Sequence, residues 1–184
     1  AAFGAIVAGL MSMFLIGRHT RKEEESGRDE LLRAAPVDRF APMTAALLDA
    51  MAANVLMGVL VAASCIAYPL AVADSVALGV GLTLCGWFYS GVALIAAQLA
   101  SGSRGMYGLT GAVIGFTYIQ RVIGDVSAPW LSWTSPIGWY QGMHAFSGLR
   151  WWPLLPLAAA AAAAIVTAYV VFTRRDFGAG VLAD

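Results

Sequence analysis

Hydrophobic positions run along this chain in long blocks, and the block lengths decide what they can be. Apolar residues dominate residues 1–17, 40–68, 75–100, 106–124 and 151–173. A helix needs about 20 apolar residues to cross the hydrocarbon of a bilayer. The second, third and fifth blocks meet that length outright, the fourth comes close, and the first sits at the short end. The breaks between blocks carry stop signals: Pro69 after the second, Ser101-Gly102-Ser103 after the third, and Arg174-Arg175 after the last. Asp38 can cap the second helix, with Pro42 in its first turn, where a missing N–H donor costs little. The pattern predicts an all-α, polytopic transmembrane helix bundle of about five spans. A polar-aromatic connection over residues 125–149, rich in Trp, Ser, Pro and Gly, separates the last two.

One polar stretch differs from the rest. Between the first two spans, residues 19–39 hold five of the chain's eleven Lys/Arg and six of its eleven Asp/Glu. Thr20-Arg21-Lys22-Glu23 has the form of a capping box, and Ser26-Gly27-Arg28-Asp29 offers a second start. Gly27 favours a break between them. From Arg28 to Ala35 the residues suit a helix, with Asp29 and Glu30 in its first turn and Asp29/Arg33 four apart. Pro36 ends it. Roughly 8 residues make about 12 Å of helix, which is marginal alone in water. Such a helix needs a surface to hold it. Leu31 and Leu32 form a small apolar knob within the charge, which fits a protein socket. A lipid-surface helix would be basic, whereas Glu23, Glu24 and Glu25 would be repelled by anionic lipid. A solvated loop is the plainer alternative.

Composition narrows the class further. The chain has 184 residues, 60% of them hydrophobic and 12% charged, with a mean hydropathy of +0.74. The charged fraction is about half that of soluble domains. A net charge of zero argues against a nucleic-acid partner. Cys65 and Cys85 lie within apolar blocks and read as buried free thiols. No signal-peptide pattern precedes the first block, and residue 1 already lies within it, which reads as a segment of a longer protein.

Orientation follows from counting positive residues. With residues 19–39 cytosolic, that side carries nine Lys/Arg and the other carries two, Arg121 and Arg150. The connection with Trp130, Trp133, Trp139, Trp151 and Trp152 is then external, at a level that suits indole rings. His19 and His144 fall on opposite sides and cannot share a metal. No metal site, catalytic constellation or phosphate-binding loop is present. Polar residues inside the spans are few. Asp49 near the cytosolic end of the second span reads as interfacial, Asn54 and Gln98 as hydrogen-bonding neighbouring helices, and Arg121/Asp125 as an i,i+4 pair. Gly111 and Gly115 form a GxxxG and predict close packing of the fourth span on another. Trp87 and Phe88, with Asn54, are the candidates for a substrate path, helix packing being the plainer reading.

Four motifs now stand in order. Glu24-Glu25, Gly27, Asp29-Glu30-Leu31-Leu32 and Pro36-Val37-x-Arg39 lie between the first two spans. Ser135-Pro136-Ile137-Gly138-Trp139 follows in the connection. Arg150-Trp151-Trp152-Pro153 opens the last span, and Arg174-Arg175-Asp176-Phe177-Gly178-Ala179-Gly180 closes it. This set resembles the ABC-2 type permeases, and more narrowly the actinobacterial polyketide-antibiotic exporters (tetronasin-type, multidrug). One departure stands out: Gly27-Arg28 replaces the Gly-Thr of many ABC-2 permeases, so Ser26 must supply the cap. The resemblance implies a six-helix half whose first helix precedes this chain. It also implies an ATP-binding cassette ATPase subunit that receives Glu23, Glu24, Glu25, Gly27, Arg28, Glu30, Leu31 and Leu32. ATP and magnesium would sit on that subunit, and no cofactor on this chain. The other permease half, the lipid bilayer and a lipophilic substrate complete the expected partners, in a bacterial plasma membrane. An ion-coupled secondary transporter or a structural membrane anchor are the competing functions. The first would need ionisable residues at mid-membrane.

Overall fold

The computed structural model describes residues 2–20 and 39–174. Within them lie seven helices and no strand: α1 (Ala2–His19), α2 (Ala41–Ala67), α3 (Val72–Leu99), α4 (Ser103–Val126), α5 (Pro129–Ser132), α6 (Pro136–Gly142) and α7 (Leu154–Thr173). The expected spans are present with ends shifted by up to three residues. Pro42 falls in the first turn of α2, as expected, and Phe40 at the N-cap position makes no side-chain capping bond. Asp38, the expected cap, lies outside the described residues.

By length and composition α1, α2, α3 and α7 are apolar enough to cross a membrane. The fourth expected span, α4, is not among them, since it carries Arg104, Arg121 and Asp125. Its 24 residues still reach about 36 Å, enough to cross. Its polarity is turned inward: Thr110 and Thr117 are buried, while Leu109, Phe116, Ile119, Val122 and Ile123 face outward. Both threonine hydroxyls bond back to their own helix, at Met106 O (2.9 Å) and Val113 O (3.0 Å). Apolar outside and satisfied inside is the arrangement a bilayer demands.

The bundle is organised around α3. Fifteen of its 28 residues are buried, and it packs on α1, α2, α4, α6 and α7. Lipid offers helices no hydrophobic reason to associate, so backbones must come close enough for dispersion to act. Glycines on α3 allow this. A Cβ on Gly79 would stand 2.5 Å from Gly58 O of α2, and one on Gly91 would stand 2.7 Å from the Ala164 Cβ of α7. At Gly86 the carboxamide of Asn54 fills the space a side chain would need. Two apolar clusters result. One holds Ile16, Leu47, Leu94 and Met106, the other Leu82, Ile137, Tyr140 and Leu157.

Among the described residues no helix stands against Gly111 and Gly115. A Cβ on either glycine, or on Gly108, meets nothing within 4 Å. The buried face of α4 is the opposite one, through Met106, Thr110, Ile114, Thr117 and Gly124. GxxxG marks a smooth surface, but the partner that makes it an interface is absent among the described residues.

The two ends of the bundle differ. At one, Arg39 Nη2 donates to Phe172 O (3.3 Å), its guanidinium lies 5.3 Å from both the Phe40 and Phe172 ring centres, and Thr44 and Tyr169 share a 2.8 Å hydrogen bond. At the other, α5 and α6 pack against α4, and Trp133 stacks on Trp152 at 4.9 Å. His19, Arg39 and Arg174 therefore share one end, and the tryptophan-rich connection forms the other, as the charge pattern predicts.

Glycine substitutions test this packing. Gly58→Ala should destabilise the bundle by about 1–3 kcal/mol, as overpacking does. Gly115→Ala should be neutral or stabilising by up to about 1 kcal/mol, because alanine is the better helix former. Thermal unfolding of this chain in detergent separates them. Equal losses at both positions would refute the assignment of faces.

Candidate functional site

The residues singled out for contact with an ATPase, Glu23, Glu24, Glu25, Gly27, Arg28, Glu30, Leu31 and Leu32, lie outside the described residues. What the structure does describe is how the helices on either side of them are joined. α1 delivers the chain to residue 19 and α2 takes it up at residue 41. Near this point His19 Nε2 lies 3.5 Å from Asp49 Oδ2, with the Asp49 side chain 67% exposed. Asp49 is thus an interfacial residue tying α2 to α1. Thr20 turns its hydroxyl back to Ile16 O (2.7 Å) and closes the last turn of α1.

Deeper in the bundle a polar knot joins three helices. Asn54 Nδ2 donates to Ser12 Oγ of α1 (2.9 Å) and to Ala50 O of its own helix (2.8 Å). The Ser12 hydroxyl donates in turn to Gly86 O of α3 (3.1 Å). Ser90 Oγ reaches the same carbonyl at 2.8 Å. Thr83 Oγ1 of α3 lies 3.0 Å from Gly79 O and 3.3 Å from Asn54 O. Asn54 and Ser12 have no exposed surface. Because Ala50 O can only accept, the amide nitrogen must face it, which fixes the orientation of the carboxamide. Asn54 Oδ1 is left without a partner.

This separates the three candidates for a substrate path. Asn54, being wholly buried, lines no open path in this state and acts as a helix-to-helix bond. Trp87 is half-buried, and its Nε1 donates to Met51 O of α2 (3.3 Å). Phe88 meets Tyr89 edge-on at 5.2 Å. Asn54 and Trp87 share the α2–α3 seam but not a cavity. Gln98 is buried, with Nε2 3.8 Å from Met43 Sδ of α2. An open space that sequence reasoning missed lies elsewhere. A shallow, open groove of about 500 Å³ lies on α2, lined by Leu56, Met57, Leu60, Ser64 and Cys65, with Met11 of α1 at its border. Met11 is its one contact with another helix, and no local pattern encodes that pairing. Cys65 is half-buried there, while Cys85 is buried as expected.

At the tryptophan-rich end, Arg121 pairs with Asp125, as its spacing predicts. Its Nε also donates to Gln141 Oε1 of α6, and Gln120 reaches Thr134. Ser135 Oγ donates to Thr117 O (2.9 Å). The motif Ser135-Pro136-Ile137-Gly138-Trp139 thus starts α6 and pins it to α4. Phe146 N donates to Asp74 Oδ1 (2.7 Å), tying the connection to the start of α3. Among the described residues no group of three His, Cys, Asp or Glu side chains could hold a metal ion.

Comparison with known proteins agrees with this architecture. A multidrug efflux system permease protein of Mycobacterium tuberculosis is 40% identical over 182 residues, which is 99% of this chain. The similarity runs along the whole of this chain. It spans about a third (33%) of the length of that relative. No protein-family model matches it. It is a multi-pass protein of the plasma membrane, with the helical bundle that the apolar blocks predict.

Two side chains at opposite ends of the bundle should respond differently to substitution. Arg121→Met removes a charge-assisted bond to α6, worth about 1.5–3 kcal/mol, so amide exchange over residues 136–142 should quicken at least tenfold. Asp49→Asn weakens an exposed pair worth under about 1 kcal/mol and should leave exchange in α1 and α2 nearly unchanged. Unaltered exchange in α6 after Arg121→Met would show that Gln141 does not hold it.

Proposed function

We propose that this chain is part of the membrane permease of an ATP-driven ABC exporter that moves lipophilic, drug-like compounds out of the cell. The observation that carries the reading is the similarity along the whole chain to a multidrug efflux system permease. In this reading residues 19–39 are cytosolic and contain a coupling helix. Leu31 and Leu32 fill a groove on an ATP-binding cassette ATPase, with Glu23, Glu24, Glu25, Arg28 and Glu30 around them and Gly27 at the break before the helix. ATP and magnesium are held by the ATPase. A second permease half completes the path. ATP binding shifts the equilibrium between two packings of the helices through the coupling helix, which is how a local contact acquires a distant effect.

Two features of the bundle support export of an apolar cargo. Among the described residues, the middle thirds of α1, α2, α3, α4 and α7 hold no Asp, Glu, Lys, Arg or His, so nothing there suits proton or ion coupling. The groove on α2 is lined almost wholly by apolar groups, two of them methionines, whose flexible side chains adapt to varied shapes.

The leucines give the direct test. Burying one is worth about 1.5–3 kcal/mol, so changing both Leu31→Ser and Leu32→Ser should release the ATPase or uncouple hydrolysis from export, with membrane insertion intact. Glu24→Gln, an exposed rim charge worth under about 1 kcal/mol, should do little. Full ATPase binding and full export by the double leucine variant would overturn the reading. Sidedness is checked separately by labelling Glu25→Cys and Ser132→Cys with an impermeant reagent in intact cells. The second should label and the first should be protected, and the reverse pattern would invert the topology.

A further inference from the structure

The charged segment enters the bundle through two helices only, α1 on one side and α2 on the other. Whatever it does to the transport path must pass through them. If the two could slide or splay independently, a push on the segment would be absorbed between them. They are tied at two depths. The outer tie is His19 to Asp49, 3.5 Å apart and substantially exposed. The inner tie is Asn54 to Ser12, at 2.9 Å and wholly buried. Along α1 the two ties are separated by about 10 Å of helix. One contact would act as a pivot, whereas two at different depths fix the angle between the helices as well as their distance.

The inner tie extends further. The Ser12 hydroxyl donates its own hydrogen bond to Gly86 O (3.1 Å), so α3, the helix on which the other spans pack, is drawn into the same bond set. Gly86 cannot carry a side chain without displacing the Asn54 carboxamide. A leucine at 54 would fill a similar volume and leave no orphan, yet the residue is an amide whose nitrogen is used and whose Oδ1 has no partner. Packing alone gives no reason for that choice. A bond between the two helices that receive the charged segment does.

Resting on the ABC-exporter reading above, we propose that Asn54 is a positioning residue for transport. Through Ser12 and Gly86 it makes α1, α2 and α3 move as one body, so that displacement of the segment between α1 and α2 reaches the whole core.

The intact permease with its ATPase, reconstituted in lipid vesicles, tests this by measuring lipophilic-dye transport and ATP hydrolysis in the same preparation. Asn54→Leu should lower dye moved per ATP at least tenfold while leaving the hydrolysis rate and the KM for ATP within twofold of wild type. Ser12→Ala should act in the same direction, and Ser12→Thr, which keeps the hydroxyl, should recover most of the ratio. Since the two residues make one bond, the double variant should be no worse than the worse single one. An unchanged ratio in Asn54→Leu, or effects that add, would overturn the proposal. Should Asn54→Leu fail to reach the membrane, the Ser12 pair decides, because a wild-type ratio in Ser12→Ala is equally fatal. A wild-type complex that hydrolyses ATP without moving dye would instead sink the exporter reading itself.

Discussion

Close approach of backbones along α3 is the constraint on which the rest of this bundle depends. In a hydrocarbon solvent a leucine gains little by turning inward, since lipid is as apolar as protein. Attraction then falls off with distance alone, and the side chain that would keep two helices apart is the thing to remove. Gly79 brings α2 to within contact of α3, Gly86 admits Asn54, and Gly91 admits Ala164 of α7. Once the backbones touch, polar groups that would be unaffordable in lipid come within bonding range of one another. Ser12 of α1 reaches Gly86 O of α3, and Thr83 of α3 lies 3.3 Å from Asn54 O of α2. The knot is a consequence of the glycines, and it converts a smooth, slippery contact into one with a register.

The same constraint explains the outside of the bundle. Leu48, Leu56, Val59 and Leu60 of α2 are more than half exposed, which would be a liability in water and is ordinary in a bilayer. The least apolar long helix, α4, survives among them by hiding its threonines inward and satisfying them on its own backbone. Its charged residues sit near its two ends, where Arg121 finds Asp125 and Gln141. Small residues, above all alanine, dominate the buried face, and Ser12, Asn54, Ser90, Thr110 and Thr117 are buried with them.

What was legible in the sequence divides along the range of the forces involved. The spans could be read because bilayer thickness sets block length directly, and Arg121/Asp125 because four residues is a local spacing. Asn54 could be read as a hydrogen bond to a neighbouring helix, though not to which one. The short helices α5 and α6 could not be read, since four and seven residues hold no periodicity, and they are fixed by Ser135, Gln141 and Trp133 reaching across to other elements. The glycines divide for the same reason. Gly111 and Gly115 have the familiar spacing, but nothing in a spacing says what stands opposite. Gly58, Gly79, Gly86 and Gly91 have no shared motif and make the contacts.

The bonds that hold the bundle also grade its stiffness along its length. Where the charged segment enters, the ties are exposed: His19 with Asp49, and Arg39 over two phenylalanine rings and against Phe172 O. Such contacts are screened by water and salt and yield easily. At the waist the ties are buried and directional, and at the far end α6 is pinned to α4 through Ser135 and Arg121. A body that is soft at one end and rigid from its middle onward does not crumple when pushed at the soft end. The soft contacts rearrange until the load reaches the knot, and beyond it the helices can only tilt together. On the proposal that Asn54 couples α1, α2 and α3, a small displacement at the basic end of α1 and α2 would reach the opposite end through the buried Asn54–Ser12 bond.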